Sequence, residues 1–207
     1  MAFKLPELHY SFDALTPCFD AHMVEVHYTK HHQGYVDKLN AALADFPEWQ
    51  SNSLDSLVLF WEQLPLAIQQ VVRNNAGGHW AHTFFWNGMC PGGAQVSKSF
   101  EAVITKDFSS FENFKELFLQ EAAKFFGSGW TWLALDMHGN LRVYSTPNHD
   151  VPQRFGFAPL LVVDLWEHAY YLRFENRRPE FLTAWWNLVD WNVVEKQYQQ
   201  ASFRKDI

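Results

Sequence analysis

The segment Asp164-Leu-Trp-Glu-His-Ala-Tyr-Tyr171 follows directly on an apolar run, residues 157–163, that is rich in Leu and Val. A short apolar run of this kind is typical of a buried strand. We expect Asp164 to lie where this strand leaves the sheet, with His168 four residues later. A carboxylate and an imidazole both bind first-row metal ions, so the segment indicates half of a metal site. The alternative is a strand end with one hydrogen-bonded Asp and one structural His.

The composition is that of a globular protein with many aromatic residues and ten histidines. The formal net charge is -7 and no dense block of Lys and Arg is present, which argues against nucleic acid and anionic membranes as partners. We expect neither a secretory signal nor a membrane span. With two Cys, a reducing, cytoplasmic location is the expectation.

The first long helix is predicted to begin at Thr16-Pro17, as an N-cap followed by Pro, and to run to about Phe46. His27, His31 and Tyr35 are then spaced at i, i+4 and i+8, which places them on one face. Three such residues in line favour a functional site. A polar stripe beside a core of leucines is the alternative.

A second long helix is predicted from Leu66 to about Met89 and contains His79 and His82, of which only one need point into a site. The run Ala76-Gly-Gly78 leaves room for close packing or for another side chain. Two long helices with a short connection pack antiparallel. This hairpin would bring a histidine of each helix together.

The chain is predicted to divide at Cys90-Pro-Gly-Gly, giving an N-terminal domain at 1–91 and a C-terminal domain at 92–207. The second domain shows two helices followed by three short strands, at 130–136, 141–145 and 157–163, and then further helices. The fold class is therefore α+β: an antiparallel helical hairpin plus an α/β domain with a three-stranded antiparallel sheet.

Four blocks of this sequence, in this order, resemble the iron/manganese superoxide dismutase family. They are His27-Tyr-Thr-Lys-His-His-Gln-Gly-Tyr35, Gly77-Gly-His-Trp-Ala-His-Thr-Phe-Phe-Trp86, Phe126-Gly-Ser-Gly-Trp-Thr-Trp132 and Asp164-Leu-Trp-Glu-His-Ala-Tyr-Tyr171. The resemblance covers nearly the whole chain and includes the closing block Trp185-Trp-Asn-Leu-Val-Asp-Trp191. It implies an enzyme that converts superoxide to dioxygen and hydrogen peroxide.

The resemblance implies one iron or manganese ion per subunit, cycling between M(III) and M(II), with the ligands His27, His82, Asp164 and His168. His82 is preferred to His79 because it directly precedes the Thr-Phe-Phe-Trp run. Three neutral imidazoles and one carboxylate suit a first-row metal that changes oxidation state.

The resemblance also assigns roles around the metal. Tyr35 and His31 match residues of the substrate channel, and three tryptophans match the wall of the pocket: Trp130, Trp132 and Trp166. A homodimer is implied, with Glu167, Tyr171 and His31 at its interface. Lys30 and Arg178 are the candidates for steering superoxide into an acidic protein; a solvated helix charge is the alternative for Lys30.

The chain departs from the family in the source of a glutamine that contacts solvent at the metal. One group places this Gln four residues before the second ligand His, where this chain has Gly78. The other places it in an Asn-Gln-Asp motif, where this chain has Asn148-His-Asp150. His149 therefore takes the position of the amide, which favours iron or the use of both metals. A surface loop histidine is the alternative, and His149→Gln is predicted to change the ratio of iron-loaded to manganese-loaded activity.

Cys18 lies nine residues before His27, and Cys90 lies eight residues after His82. In an antiparallel hairpin these positions fall at similar heights, which suggests a redox-sensitive pair. Two separate reduced thiols are the alternative.

Two other functions use the same residues. A zinc hydrolase would need a carboxylate placed as general base, which these motifs do not offer. A non-catalytic protein for metal storage, or one that keeps the site for an interface, would hold metal without turnover.

Overall fold

A computed structural model describes residues 2–203 of the chain. The first half is a helical hairpin in which the longest helix, α5, packs along α2. Its elements are α1 (Ala21–Val26), a π-helical turn (His27–His32), α2 (Gln33–Leu43), α3 (Pro47–Gln50), α4 (Leu54–Phe60), a 3₁₀ turn (Trp61–Gln63) and α5 (Leu66–Asn87).

The predicted start of the first helix is wrong. The helix begins at Ala21, and its N-cap is Asp20, whose side chain accepts a hydrogen bond from the Met23 amide at 2.8 Å. Thr16 cannot take this role here, because its hydroxyl donates to the Phe19 carbonyl at 3.3 Å. An N-cap must offer an acceptor to the amides of the first turn, and Asp20 does so.

The π-helical turn at His27–His32 was not predicted either. A π turn has more residues than an α-helical turn and is often found at functional sites. Two adjacent histidines of this turn contact different neighbours. The ring of His31 stacks on His168 at 4.1 Å, whereas His32 is buried against α5.

The second half contains a three-stranded antiparallel sheet in the order β2-β1-β3, which confirms the predicted sheet. Its elements are α6 (Lys98–Phe108), α7 (Phe111–Lys124), β1 (Gly129–Leu135), β2 (Leu141–Pro147), β3 (Ala158–Asp164), α8 (Tyr171–Phe174), α9 (Arg178–Trp186) and α10 (Trp191–Phe203). Two 3₁₀ turns flank β3, at Pro152–Phe155 and Glu167–Ala169.

The central strand and α5 place the site. Every residue of β1 is buried, and Trp130 pairs with Asp164 in the register between β1 and β3. A Cβ on Gly77 would collide with the carbonyl oxygen of His149, and one on Gly78 would collide with the Tyr35 ring. The predicted close approach at these glycines is therefore confirmed, and it brings both halves of the chain to one point.

Cys18 and Cys90 are both free thiols, each partly buried, so no bridge joins them in this structure. The division of the chain at 91 and 92 stays a prediction. Across residues 2–203, every helix is too short or too polar to cross a lipid bilayer.

Candidate metal centre

Four side chains from four different elements converge between the two halves of the chain. His27 opens the π-helical turn, His82 lies on α5, Asp164 is the last residue of β3, and His168 lies in the 3₁₀ turn that follows. One ligand atom of each lies within 4.8 Å of all the others. Asp164 and His82 are fully buried, and His27 is nearly so.

Four of the six separations between these atoms match the edges of a coordination shell. Asp164 Oδ2 lies 3.2 Å from Nε2 of His27, 3.2 Å from Nε2 of His168 and 3.5 Å from Nε2 of His82. The His82 and His168 nitrogens are 3.3 Å apart. Atoms bound about 2.1 Å from one ion stand about 3.0 Å apart at right angles and about 3.6 Å apart at 120°. The cluster therefore has the size of a site for one ion.

The surroundings of His82 and His27 leave Nε2 of each ring available at this point. His82 Nδ1 lies 2.7 Å from the Gly78 carbonyl oxygen, which can only accept, so Nδ1 carries the hydrogen and Nε2 is free to bind. His27 Nε2 is buried and, although close to Asp164, lies off the direction of a hydrogen bond and has no such partner among the described residues. Burial lowers the pKa of His27 to about 4 and holds the pKa of His82 well below its usual value, so both are neutral at pH 7.

Asp164 supplies the one negative charge. Burial acts to raise the pKa of its carboxyl, but the adjacent imidazoles of His168 and His27 outweigh burial and hold the pKa well below its usual range. Its Oδ1 accepts a hydrogen bond from the Trp166 amide at 2.8 Å, which fixes the carboxylate with Oδ2 facing the histidines. The four residues fit an ion of the iron or manganese type, since three imidazoles and one carboxylate suit a redox-active first-row metal.

Tyr35 and His31 lie beside the cluster, on two sides. The Tyr35 ring is 5.1 Å from His82 and 4.6 Å from His149. Burial, with a smaller contribution from Asp164, raises the pKa of the Tyr35 phenol, so it stays protonated. His31 is half-buried and stacks on His168, and burial lowers its pKa to about 4.

His149 is buried, with 6% of its surface exposed, so the alternative of a surface loop histidine is wrong. Trp130 Nε1 lies 3.2 Å from His149 Nδ1, and an indole can only donate, so Nδ1 accepts. Burial lowers the pKa of His149 to about 3, which leaves the imidazole neutral. Nε2 therefore carries a hydrogen, and this buried atom has no hydrogen-bond partner among residues 2–203.

The three tryptophans are not equivalent. Trp130 lies edge-on to His82 at 5.0 Å, and Trp166 stacks on His149 at 4.4 Å and lies 5.6 Å from His168. Trp132 is fully buried one layer out, 6.2 Å from Trp130. Trp130 and Trp166 therefore border the cluster, whereas Trp132 packs against the far side of Trp130.

The remaining predicted residues lie outside this cluster. Glu167, Tyr171 and Lys30 are exposed. The Arg178 guanidinium donates to the Phe125 carbonyl at 2.7 Å and to other oxygens nearby. Arg178 thus joins α9 to the ends of α7 and β3.

Sequence reasoning missed two polar pairs near the site, one buried and one partly buried. His32 Nε2 lies 2.7 Å from His79 Nδ1, and Arg73 forms a bidentate ion pair with Asp150. Two features of the sequence could have indicated the first pair: His32 directly follows His31, and His79 lies three residues before His82. The second pair could have been suspected only from the position of Asp150 directly after His149.

The geometry thus defines a candidate site for one metal ion, built from a helical hairpin and a three-stranded sheet. Two family models match the chain: iron/manganese superoxide dismutases, alpha-hairpin domain, at residues 2–90, and iron/manganese superoxide dismutases, C-terminal domain, at residues 96–197. The chain belongs to the iron/manganese superoxide dismutase family.

Named relatives are similar along nearly their whole length. Superoxide dismutase [Mn] of Listeria monocytogenes is 46% identical over 202 residues, which cover 97% of this chain and 100% of that protein. Superoxide dismutase [Mn] 2 of Bacillus anthracis is 46% identical over 201 residues, covering 97% and 96%. Superoxide dismutase [Mn] of Thermus aquaticus is 46% identical over 200 residues, covering 96% and 98%.

Proposed function

We propose that this chain dismutates superoxide at one iron or manganese ion held by His27, His82, Asp164 and His168. Membership of the family makes it an oxidoreductase acting on superoxide. The observation that carries the assignment of the ligands is the convergence of three imidazole nitrogens and one carboxylate oxygen within 4.8 Å. When bound, the ion supplies one-electron chemistry by alternating between its trivalent and divalent states.

The surrounding residues handle protons and exclude water. Conversion of two superoxide radicals to dioxygen and hydrogen peroxide consumes two protons. The Tyr35 phenol and the His149 Nε2–H are neutral donors beside the cluster, and both are kept neutral at pH 7 by burial. Trp130 and Trp166 give the cluster apolar walls, where hydrogen bonds and charges act more strongly than in water.

For the metal, we propose that the site works with both iron and manganese and that His149 sets the balance. The relatives above are named for manganese, whereas the replacement of the amide by His149 favours iron or both metals. The Nε2–H of His149 is a donor, as an amide N–H is, which supports the use of manganese as well. The ratio of the two activities should therefore depend on this side chain.

We also propose a homodimer, built on the face that carries Glu167 and Tyr171. Tyr171 is 52% exposed and its neighbour Leu172 55% exposed, which makes an apolar patch next to His168. Light scattering of the purified protein should give twice the chain mass, and Glu167→Ala should shift it toward the monomer.

We also propose a location in the cytoplasm, which the two free thiols support.

The test of the function is reconstitution. The metal-stripped protein is reloaded separately with iron and with manganese, and its metal content and dismutation of superoxide are measured. We expect activity with both metals, and His149→Gln to change the ratio of the two activities by about tenfold. Full loading with no turnover for either metal would contradict the proposed function. An unchanged ratio in His149→Gln would contradict only the role of His149.

A further inference from the structure

The loop that carries His149 is attached to the hairpin by an ion pair between partly buried Arg73 and buried Asp150. Arg73 Nη2 donates to both carboxylate oxygens of Asp150 at 2.8 Å, and Arg73 Nε donates to Oδ1 at 3.0 Å. Asp150 is only 9% exposed. A forked guanidinium pair fixes the carboxylate in direction as well as in position, which a single Lys contact does not.

Arg73 is itself held in place. Its guanidinium lies 5.1 Å from the centre of the Trp61 ring, and it stands one helical turn before Gly77 on α5. His149 packs its carbonyl oxygen against Gly77, where a side chain would not fit. Two residues of α5, one turn apart, thus contact the same loop. Arg73 pairs with the Asp150 carboxylate, and Gly77 packs against the His149 carbonyl oxygen.

The backbone of the loop is held from the sheet side by hydrogen bonds. The Thr146 hydroxyl donates to the Asp150 carbonyl at 2.6 Å and accepts from Trp132 Nε1 at 2.8 Å. Trp166 Nε1 donates to the Asn148 carbonyl at 3.1 Å. These contacts hold the peptide groups, and the Arg73 pair is the contact that holds the Asp150 side chain toward the hairpin.

We propose that Arg73 is a positioning residue for the metal centre: by holding Asp150 toward α5, it keeps the ring of the adjacent His149 beside the ligand cluster, 6.0 Å from the ring of His82, with its Nε2–H buried. The inference rests on the proposed function, because His149 has a chemical role only if the cluster holds a metal. Without Arg73, a buried carboxylate loses its counter-charge and must move toward water. Because His149 is the preceding residue, this movement would turn its ring.

Arg154 provides a matched control. Its guanidinium also lies over Trp61, at 4.9 Å, and it also pairs with an acid, Glu62, at 2.8 Å. It donates to the Leu59 carbonyl at 2.8 Å as well. Arg154 therefore shares with Arg73 the contact with Trp61 and an acidic partner, but its acid is exposed and is not next to His149.

The experiment compares R73Q, H149A, the double variant R73Q/H149A and R154Q, each as the manganese-loaded full chain with metal content measured. The readouts are the midpoint reduction potential and kcat for superoxide. We expect R73Q to lower kcat by about tenfold and to shift the potential in the same direction as H149A. The double variant should show no further shift, because both changes remove one interaction. R154Q should keep the wild-type potential and kcat.

A wild-type potential in R73Q at full loading would overturn the proposal, as would shifts of R73Q and H149A that add in the double variant. If R73Q does not fold, Asp150→Asn replaces it, since the amide keeps the shape and removes the charge that Arg73 holds. Asp150→Asn is expected to give the same shift in potential, and an unchanged potential would again overturn the proposal. Absence of turnover in the loaded wild type would count against the proposed function alone, since the potentials are measured without superoxide.

Discussion

The molecule contains two neighbouring clusters of histidines in its interior, and the ring nitrogens of the two clusters have different kinds of partner. His32 and His79 form a hydrogen bond with each other, with 2.7 Å between Nε2 and Nδ1. His27, His82 and His168 instead direct Nε2 atoms at a shared carboxylate oxygen of Asp164, at 3.2 to 3.5 Å. Burial keeps His32 and His79 neutral at pH 7, whereas the second cluster contains the buried negative charge of Asp164.

The difference shows what separates a structural pair from a ligand set. A pair of neutral imidazoles forms one hydrogen bond, in which one ring donates and the other accepts, and it needs no ion. Three imidazole nitrogens and one carboxylate oxygen that lie within 4.8 Å of one another instead form the donor set of a cation site. The two clusters touch, since the rings of His32 and His82 are 5.3 Å apart, so proximity alone does not distinguish them.

The largest effect is expected from Asp164→Asn, which removes the charge that distinguishes the second cluster. The amide is a weak ligand and keeps the shape of the side chain. Metal affinity should fall by more than about 100-fold, beyond what loss of an outer hydrogen-bond partner costs. Elemental analysis after dialysis against a chelator measures this, and metal retained at the wild-type level would contradict the assignment.

A smaller effect, on stability alone, is expected from His79→Ala. It leaves His32 buried without its partner and opens a cavity, which should lower the free energy of unfolding by about 3 kcal/mol. Metal content should stay at one ion per chain. The control is His22→Ala on α1, which is exposed and should change stability by less than about 0.5 kcal/mol. Loss of metal in His79→Ala would show that the pair belongs to the metal centre.

The smallest effect concerns pH in the metal-free protein. Burial lowers the pKa of His79 to about 4, whereas an unfolded histidine has a pKa of about 6.5. The unfolded state therefore binds this proton first, so the stability contributed by neutral His79 is full above pH 6.5 and is lost as the pH falls toward 4. Between pH 6.5 and 5 the wild type should lose about 2 kcal/mol more than His79→Ala. Urea titrations at each pH test this, and equal losses would contradict it.

The sequence predicted the elements well where a periodic pattern or a strong break was present. The three strands, the long helix α5 and the helix at Trp191–Phe203 follow from such patterns. The start of the first helix was missed because two cap signals, at Thr16 and Asp20, compete within five residues, and tertiary contacts decide between them. The π-helical turn was missed because its hydrogen bonds leave no mark on hydrophobic spacing.

The site was predictable only in part. The choice of His82 over His79 came from the Thr-Phe-Phe-Trp run that follows it, and the structure places His82 beside Asp164 and His79 beside His32. The tautomer of His149 was not accessible, because it depends on the Trp130 indole nineteen positions earlier in the chain. The pairing of Arg73 with Asp150 joins residues that are 77 positions apart, and no local pattern reports such a contact.

The central claim is that one cluster, and not its neighbour, holds the metal. The most direct measurement is anomalous diffraction from crystals of the manganese-loaded protein, collected on both sides of the manganese absorption edge. We predict a single peak about 2.0 to 2.3 Å from Nε2 of His27, His82 and His168 and from Oδ2 of Asp164. A peak at the His32–His79 pair, or none among the four proposed ligands in fully loaded protein, would contradict the account.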